Sequence, residues 1–159
     1  ESRKLSLLHG QCAIITRLQA IAFRPARWFV SNFEGIKRMD GIHLLGEWYG
    51  CPGDTPLLTR ADALRRLCVD AARAAGLSVV GESFYQFEPQ GVTGTVLLAE
   101  SHIAIHTWPE AGFVTVDVYV CNLHTDNTAK AEHVFHALES ALKPTEVRFH
   151  SIRRGGGHA

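Results

Sequence analysis

The sequence has no C-x-x-C pair. Its four cysteines, Cys12, Cys51, Cys68 and Cys121, stand at spacings that match no zinc pattern. It has no net charge: 16 Lys and Arg offset 16 Asp and Glu. That leaves no electrostatic case for nucleic acid or an anionic membrane. It has no apolar run long enough to cross a bilayer. The nearest, LLHGQCAIITRLQAIAF, is broken by Arg17 and Gln19. It reads as a plain appended segment rather than a targeting signal. No secretory signal is in view, so a reduced, cytoplasmic protein is expected rather than a disulfide scaffold.

What is there suits one domain: 159 residues, 46% of them apolar, enough for one hydrophobic core. The charge is uneven. Residues 1–40 carry seven Lys and Arg against three Asp and Glu, so residues 41–159 carry nine against thirteen. The first 40 residues, broken at Pro25 and Gly35, are read as an N-terminal extension of unassigned structure. The domain is 41–159.

From Gly41 the pattern is regular. GIHLLGEWYG reads as a strand ended by a Gly-Cys-Pro-Gly turn. Thr59 is the expected cap of a helix whose Leu64, Leu67, Cys68 and Ala71 or Ala72 fall at helical spacing and which Gly76 stops. Four strands follow: LSVVGESFYQFEP, GVTGTVLLA, SHIAIHTW and the cleanly alternating FVTVDVYVC. Asp126, Asn127 or Thr128 should cap a second helix that ends at Lys143-Pro144, and TEVRFHSIRR is a last strand. Strands joined by short turns give an antiparallel sheet. Two helices would cover one of its faces, an α+β two-layer sandwich.

The chemistry concentrates in AESHIAIHTWPEAGF, 99–113. His102 and His106 are four apart. On a strand they share a face but stand about 13 Å apart, too far for one metal ion. No metal site is assigned. Ser101, His106 and Asp117 could form a hydrolytic triad, but no G-x-S-x-G elbow surrounds the Ser. Any one Ser or His on a strand is as easily a satisfied or solvent-facing residue. Together, Ser101, His106, Trp108, Glu110 and Cys121 make a reactive and aromatic set on two adjacent strands.

That string, with the FEPQGVTGTVLL before it and VTVDVYVCN after it, resembles the signature of prokaryotic S-adenosylmethionine decarboxylases, which are self-processing and pyruvoyl-dependent. The resemblance covers 41 to about 154, from GIHLLGEWYGC to RRG. It implies that the Ser101 hydroxyl attacks the carbonyl of Glu100 and forms an ester. Elimination and hydrolysis then leave a pyruvoyl group in place of Ser101, with a β chain of residues 1–100 and an α chain of residues 101–159. His106 matches the base for the elimination, a task its near-neutral pKa suits. Thr93 stands where the family usually has a Ser that assists. Ser101 and His106 are five apart, so a regular strand would point them opposite ways. A bend, bulge or loop is expected between them, or cleavage at a strand end.

By the same resemblance the pyruvoyl ketone forms a Schiff base with the substrate amine and takes up electrons as CO₂ leaves. Cys121 matches the acid that reprotonates the α-carbon. Phe87 and Trp108 match aromatic residues of the nucleoside pocket, Glu110 a carboxylate on the ribose, and His102 and Ile103 neighbours of the pyruvoyl. The family's prokaryotic members form homodimers with active sites at the subunit interface. Some positions depart from the family's usual residues: Tyr85 and Gln86 for a His-Arg pair, Ile42 for an Arg, Asn122 for a Gly. The alternatives are an arginine or ornithine decarboxylase on the same scaffold and a non-catalytic homologue. Phe87, Trp108 and Glu110 favour adenosylmethionine.

Overall fold

The structure, a computed structural model, describes residues 40–123 and 125–155. The N-terminal extension lies outside these residues apart from Asp40, as does the tail beyond Gly155. The described residues form β1 (Asp40–Tyr49), α1 (Pro56–Thr59), α2 (Ala61–Ala74), β2 (Val79–Gln86), β3 (Val92–Leu98), β4 (Ser101–Trp108), β5 (Phe113–Cys121), α3 (Thr128–Leu142) and β6 (Glu146–Gly155). A single 3-10 turn, Pro109–Ala111, joins β4 to β5. The strands make one fully antiparallel sheet in the order β2-β3-β4-β5-β1-β6. The expected α+β sandwich is therefore present, with α2 and α3 on one face.

Side-chain alternation decides which face is dry. In β5, Val114, Val116, Val118 and Val120 are buried, while 113, 115, 117, 119 and 121 are half-buried. Each buried valine contributes roughly 1.5–3 kcal/mol relative to an exposed one. Ile42, Leu44 and Trp48 of β1 and Ile103 and Ile105 of β4 join the same layer beneath Leu64 and Cys68 of α2 and Phe135 and Leu138 of α3. Gly46 lets α3 sit close: a Cβ there would stand 2.8 Å from the Phe135 ring.

The helix ends show where local reading failed. Thr59 does not cap α2. It closes the one-turn α1, which Thr55 begins and Pro56 follows, and its hydroxyl donates to the Thr55 carbonyl at 3.1 Å. The cap position of α2 is Arg60, whose side chain makes no capping bond. The Ala61 N–H instead donates to Oε1 of Gln86 at 2.8 Å, a cap delivered from β2. The far end is as expected. Gly76, at φ +73, lets the Leu77 N–H return to the Ala72 carbonyl. At α3 the cap position is Asn127, but Asp126 Oδ1 takes the Thr128 N–H, at 2.9 Å. Lys143, left-handed at φ 50, ends that helix where Lys143-Pro144 was expected to.

The other face of the sheet carries no helix among the described residues. Tyr85 (62% exposed), Leu97 (50%), Phe87 (46%), Ile152 (44%) and Trp108 (40%) all lie on it. So do His43, His102 and Tyr119, whose rings lie 5.5–6.2 Å apart.

Candidate active site

β4 is the axis of the site. It keeps one register along its length, from Ser101 opposite Leu98 to Thr107 opposite Val92. The bend expected between Ser101 and His106 is not there. Ser101 is instead the first residue of the strand, just after the turn at Ala99 and Glu100, so the bond between Glu100 and Ser101 lies at a strand end. Five regular steps put Ser101 and His106 about 17 Å apart along β4, on opposite faces. All the expected site residues but His102 and Ile103 thus fall into two groups, one at each end.

At the late end of β4 a cavity of about 320 Å³ is lined by Phe87, Gln90, Val92, Thr93, His106, Thr107, Trp108 and Glu110. Strand pairing sets Thr93 opposite His106. The Thr93 hydroxyl lies 2.7 Å from His106 Nδ1. The Trp108 ring is 6.2 Å from the imidazole and leans on Phe113 at 5.2 Å. The 3-10 turn brings Glu110 to the rim. Gly112 then turns the chain in the left-handed region, where a Cβ would meet the Cys51 carbonyl at 2.7 Å. Behind the cavity, the buried Thr107 hydroxyl donates to the Leu58 carbonyl at 2.7 Å and accepts from the Val92 N–H at 2.9 Å. Nothing in the local sequence marked Thr107, because both partners are distant in the chain.

At the early end, Glu100, Ser101, Val120, Cys121, Asn127 and Lys130 help line a cavity of about 160 Å³. Cys121 ends β5 on the helix-free side. Asn127 Nδ2 donates to its carbonyl at 2.9 Å, and the Asn127 N–H donates to Asn122 Oδ1 at 2.8 Å. Asn122 thus braces the segment that carries the thiol.

Two expected neighbours behave otherwise. Ile103 is a fully buried core residue and lines neither cavity. His102 stands on the helix-free face opposite Leu97 and Tyr119, and also lines neither cavity. Beside it His43 Nδ1 accepts from Arg154 at 3.1 Å, and His43 Nε2 is buried with no partner among the described residues. Burial holds the His43 pKa below its usual 6.5. Asp117 opposes that shift, and Arg154 and His102 add to it.

Comparison with known proteins adds the following. The sequence model of the family described as S-adenosylmethionine decarboxylase matches residues 42–155. The S-adenosylmethionine decarboxylase proenzyme of Thermoplasma volcanium is 39% identical over 115 residues, 72% of this chain and 84% of that one. The proenzyme of Aquifex aeolicus is 40% identical over 115 residues, 72% of this chain and 81% of its own. The crystal structure of the adenosylmethionine decarboxylase from Aquifex aeolicus superposes with a TM-score of 0.69 at 37% identity, over 77% of this chain and 96% of that one.

Proposed function

The chain belongs to the S-adenosylmethionine decarboxylase family, and from that premise we propose a self-cleaving enzyme that decarboxylates S-adenosylmethionine at sites completed between two copies of the chain. The observation that carries the proposal is the split of the site along β4. Ser101 and Cys121 lie at one end, and Thr93, His106, Phe87, Trp108 and Glu110 at the other. No regular strand lets one His106 serve the Ser101 of its own chain. Two helix-free faces laid together in opposite directions bring one copy's early end to the other's late end. The exposed Tyr85, Phe87, Leu97 and Trp108 are the apolar surface such pairing would cover.

The residues at the early end fit a pyruvoyl group. Ser101 carries a β-hydroxyl next to the Glu100 carbonyl, at a turn, beside a cavity that holds a thiol. Its hydroxyl attacks that carbonyl and the amide becomes an ester. The partner subunit's His106 takes the α-proton, the Cβ–Oγ bond breaks to release the main-chain carboxylate of Glu100, and water hydrolyses the resulting imine to ammonia and the ketone. With Nδ1–H donating to Thr93, Nε2 of His106 carries the lone pair a base needs. Cleavage makes residue 101 a chain end, free to turn to the helix-free side where Cys121 lies.

Once formed, the pyruvoyl group supplies an electron sink for the bond that breaks as CO₂ departs. The Cys121 thiol returns a proton to the substrate α-carbon. The rings of Phe87 and Trp108 receive the adenine and the sulfonium. The Glu110 carboxylate accepts from the ribose hydroxyls. The enzyme is a cytoplasmic homodimer in this reading. No helix among the described residues is long and apolar enough to cross a membrane.

Two inactive variants test the pairing. Ser101→Ala keeps a whole late end and His106→Ala a whole early end. Co-expressed, they should restore cleavage of the His106→Ala chain, read by intact mass, and CO₂ release from adenosylmethionine. Cleavage by neither alone nor together would place the site within one chain. CO₂ release by the unaltered chain from arginine or ornithine alone would overturn the substrate.

A further inference from the structure

We propose that Gln86 is a positioning residue for the nucleoside pocket, acting through Phe87 and never touching substrate; this rests on the reading of Phe87 as part of that pocket.

Gln86 ends β2, and Phe87 opens the turn that leads to β3. Alternation puts Gln86 on the helix side and Tyr85 on the helix-free side. The Gln86 amide reaches two separate pieces of chain, the α1–α2 junction and the turn after β2. Its Oε1 accepts from the Ala61 N–H at 2.8 Å, where α2 begins. Its Nε2 donates to the Thr59 carbonyl at 2.9 Å, where α1 ends. The same nitrogen lies 3.0 Å from the Gly91 carbonyl and 3.2 Å from that of Phe87, the two ends of the turn. The orientation of the amide follows from its partners, since an N–H can meet only the oxygen and carbonyls only the nitrogen.

The turn is closed by its own bond, Phe87 N–H to Gly91 carbonyl at 2.9 Å. Gln86 ties that closed turn to the α1–α2 junction. From the front, the Tyr85 ring meets Phe87 edge-on, with centroids 5.1 Å apart. Phe87 is half-exposed and has no core packing of its own to hold it. Its place on the cavity wall is set by the backbone that Gln86 clamps. A residue needed only to cap α2 would require the oxygen alone. The donations to Thr59 and Gly91 serve the wall.

Loosening the clamp should weaken ground-state and transition-state binding alike, which raises KM and leaves kcat. Gln86→Leu removes every bond. Gln86→Glu retains an acceptor for Ala61 but loses the donors. Steady-state kinetics on purified, self-cleaved enzyme should show KM for adenosylmethionine raised about five- to tenfold in both variants. The kcat should stay within about twofold, and intact mass should show complete cleavage. Added to Phe87→Ala, Gln86→Glu should raise KM no further, because the two act as one unit. An unchanged KM in Gln86→Glu, or effects that multiply in the double variant, would overturn the assignment. If Gln86→Leu does not fold, Gln86→Glu still decides. An unaltered chain that neither cleaves itself nor consumes adenosylmethionine would overturn the reading of the whole site; normal turnover with an unmoved KM would overturn only the role of Gln86.

Discussion

The two ends of β4 are built from the same strand pairings and differ in what surrounds them. The early end lies at a turn, beside the α3 N-terminus, with a Ser, a thiol and a lysine around a small cavity. The late end is roomier and aromatic, with its imidazole tied to a hydroxyl and its floor bolted to α1 through Thr107. In the proposed reaction the early end supplies the serine to be consumed and the acid, and the late end supplies the base and the groups that recognise substrate. Residues that must meet in the reaction can thus be far apart in a protomer, provided a second copy runs the other way.

Separate readouts sharpen that contrast. The largest effect should come from the early end. Cys121→Ala should lower kcat by about a hundredfold or more while cleavage runs to completion. Normal turnover would remove Cys121 from the role of acid. At the late end, Glu110→Gln should raise KM by about tenfold with little change in kcat, the cost of weakened hydrogen bonds to a charged group. A fall in kcat alone would blur the division between the ends. Thr93→Val keeps the shape but loses the bond to His106, and should slow cleavage about fivefold, with Thr93→Ser near normal. A Val variant that cleaves at the normal rate would detach Thr93 from the base.

The smallest effect belongs to the middle of the face. His43 has its pKa lowered by burial, so the unfolded chain binds a proton more readily between the folded value and 6.5. Stability is whole above 6.5 and declines as pH falls through that window. The loss of Tm from about pH 7.5 to about pH 5.5 should shrink in His43→Gln. An equal loss in both would assign the acid sensitivity elsewhere.

The strands were legible wherever one face is dry. Val114 to Val120 announce β5 by alternation, and Ile103 and Ile105 do the same for β4. The cap of α2 was not, because its acceptor lies 25 residues away on Gln86. The short α1 was hidden for a related reason: Thr55 and Thr59 both look like caps, and only packing decides which one begins a helix. For the site, the odd string at 99–113 supplied candidate residues but not how they group. Period two along a strand assigns faces, and a five-residue gap then separates Ser101 from His106 in both distance and direction. Ile103 shares the face of Ser101, two residues on, but by then that face has entered the core, so the side chain packs there and lines neither cavity.

The order of the strands gives the proposed cut a further meaning. A break before Ser101 leaves β1, β2 and β3 in one piece and β4, β5 and β6 in the other. Yet β1 lies between β5 and β6, bonded to both. The two pieces interlock like the fingers of folded hands, and neither can slide off an edge. Their separation is unfolding, so the severed chain should hold together at any dilution for as long as the sheet survives. Re-forming it from unfolded pieces becomes a bimolecular reaction that slows as the solution thins. The intact precursor can fold alone; the mature protein, once melted, needs to find its other half.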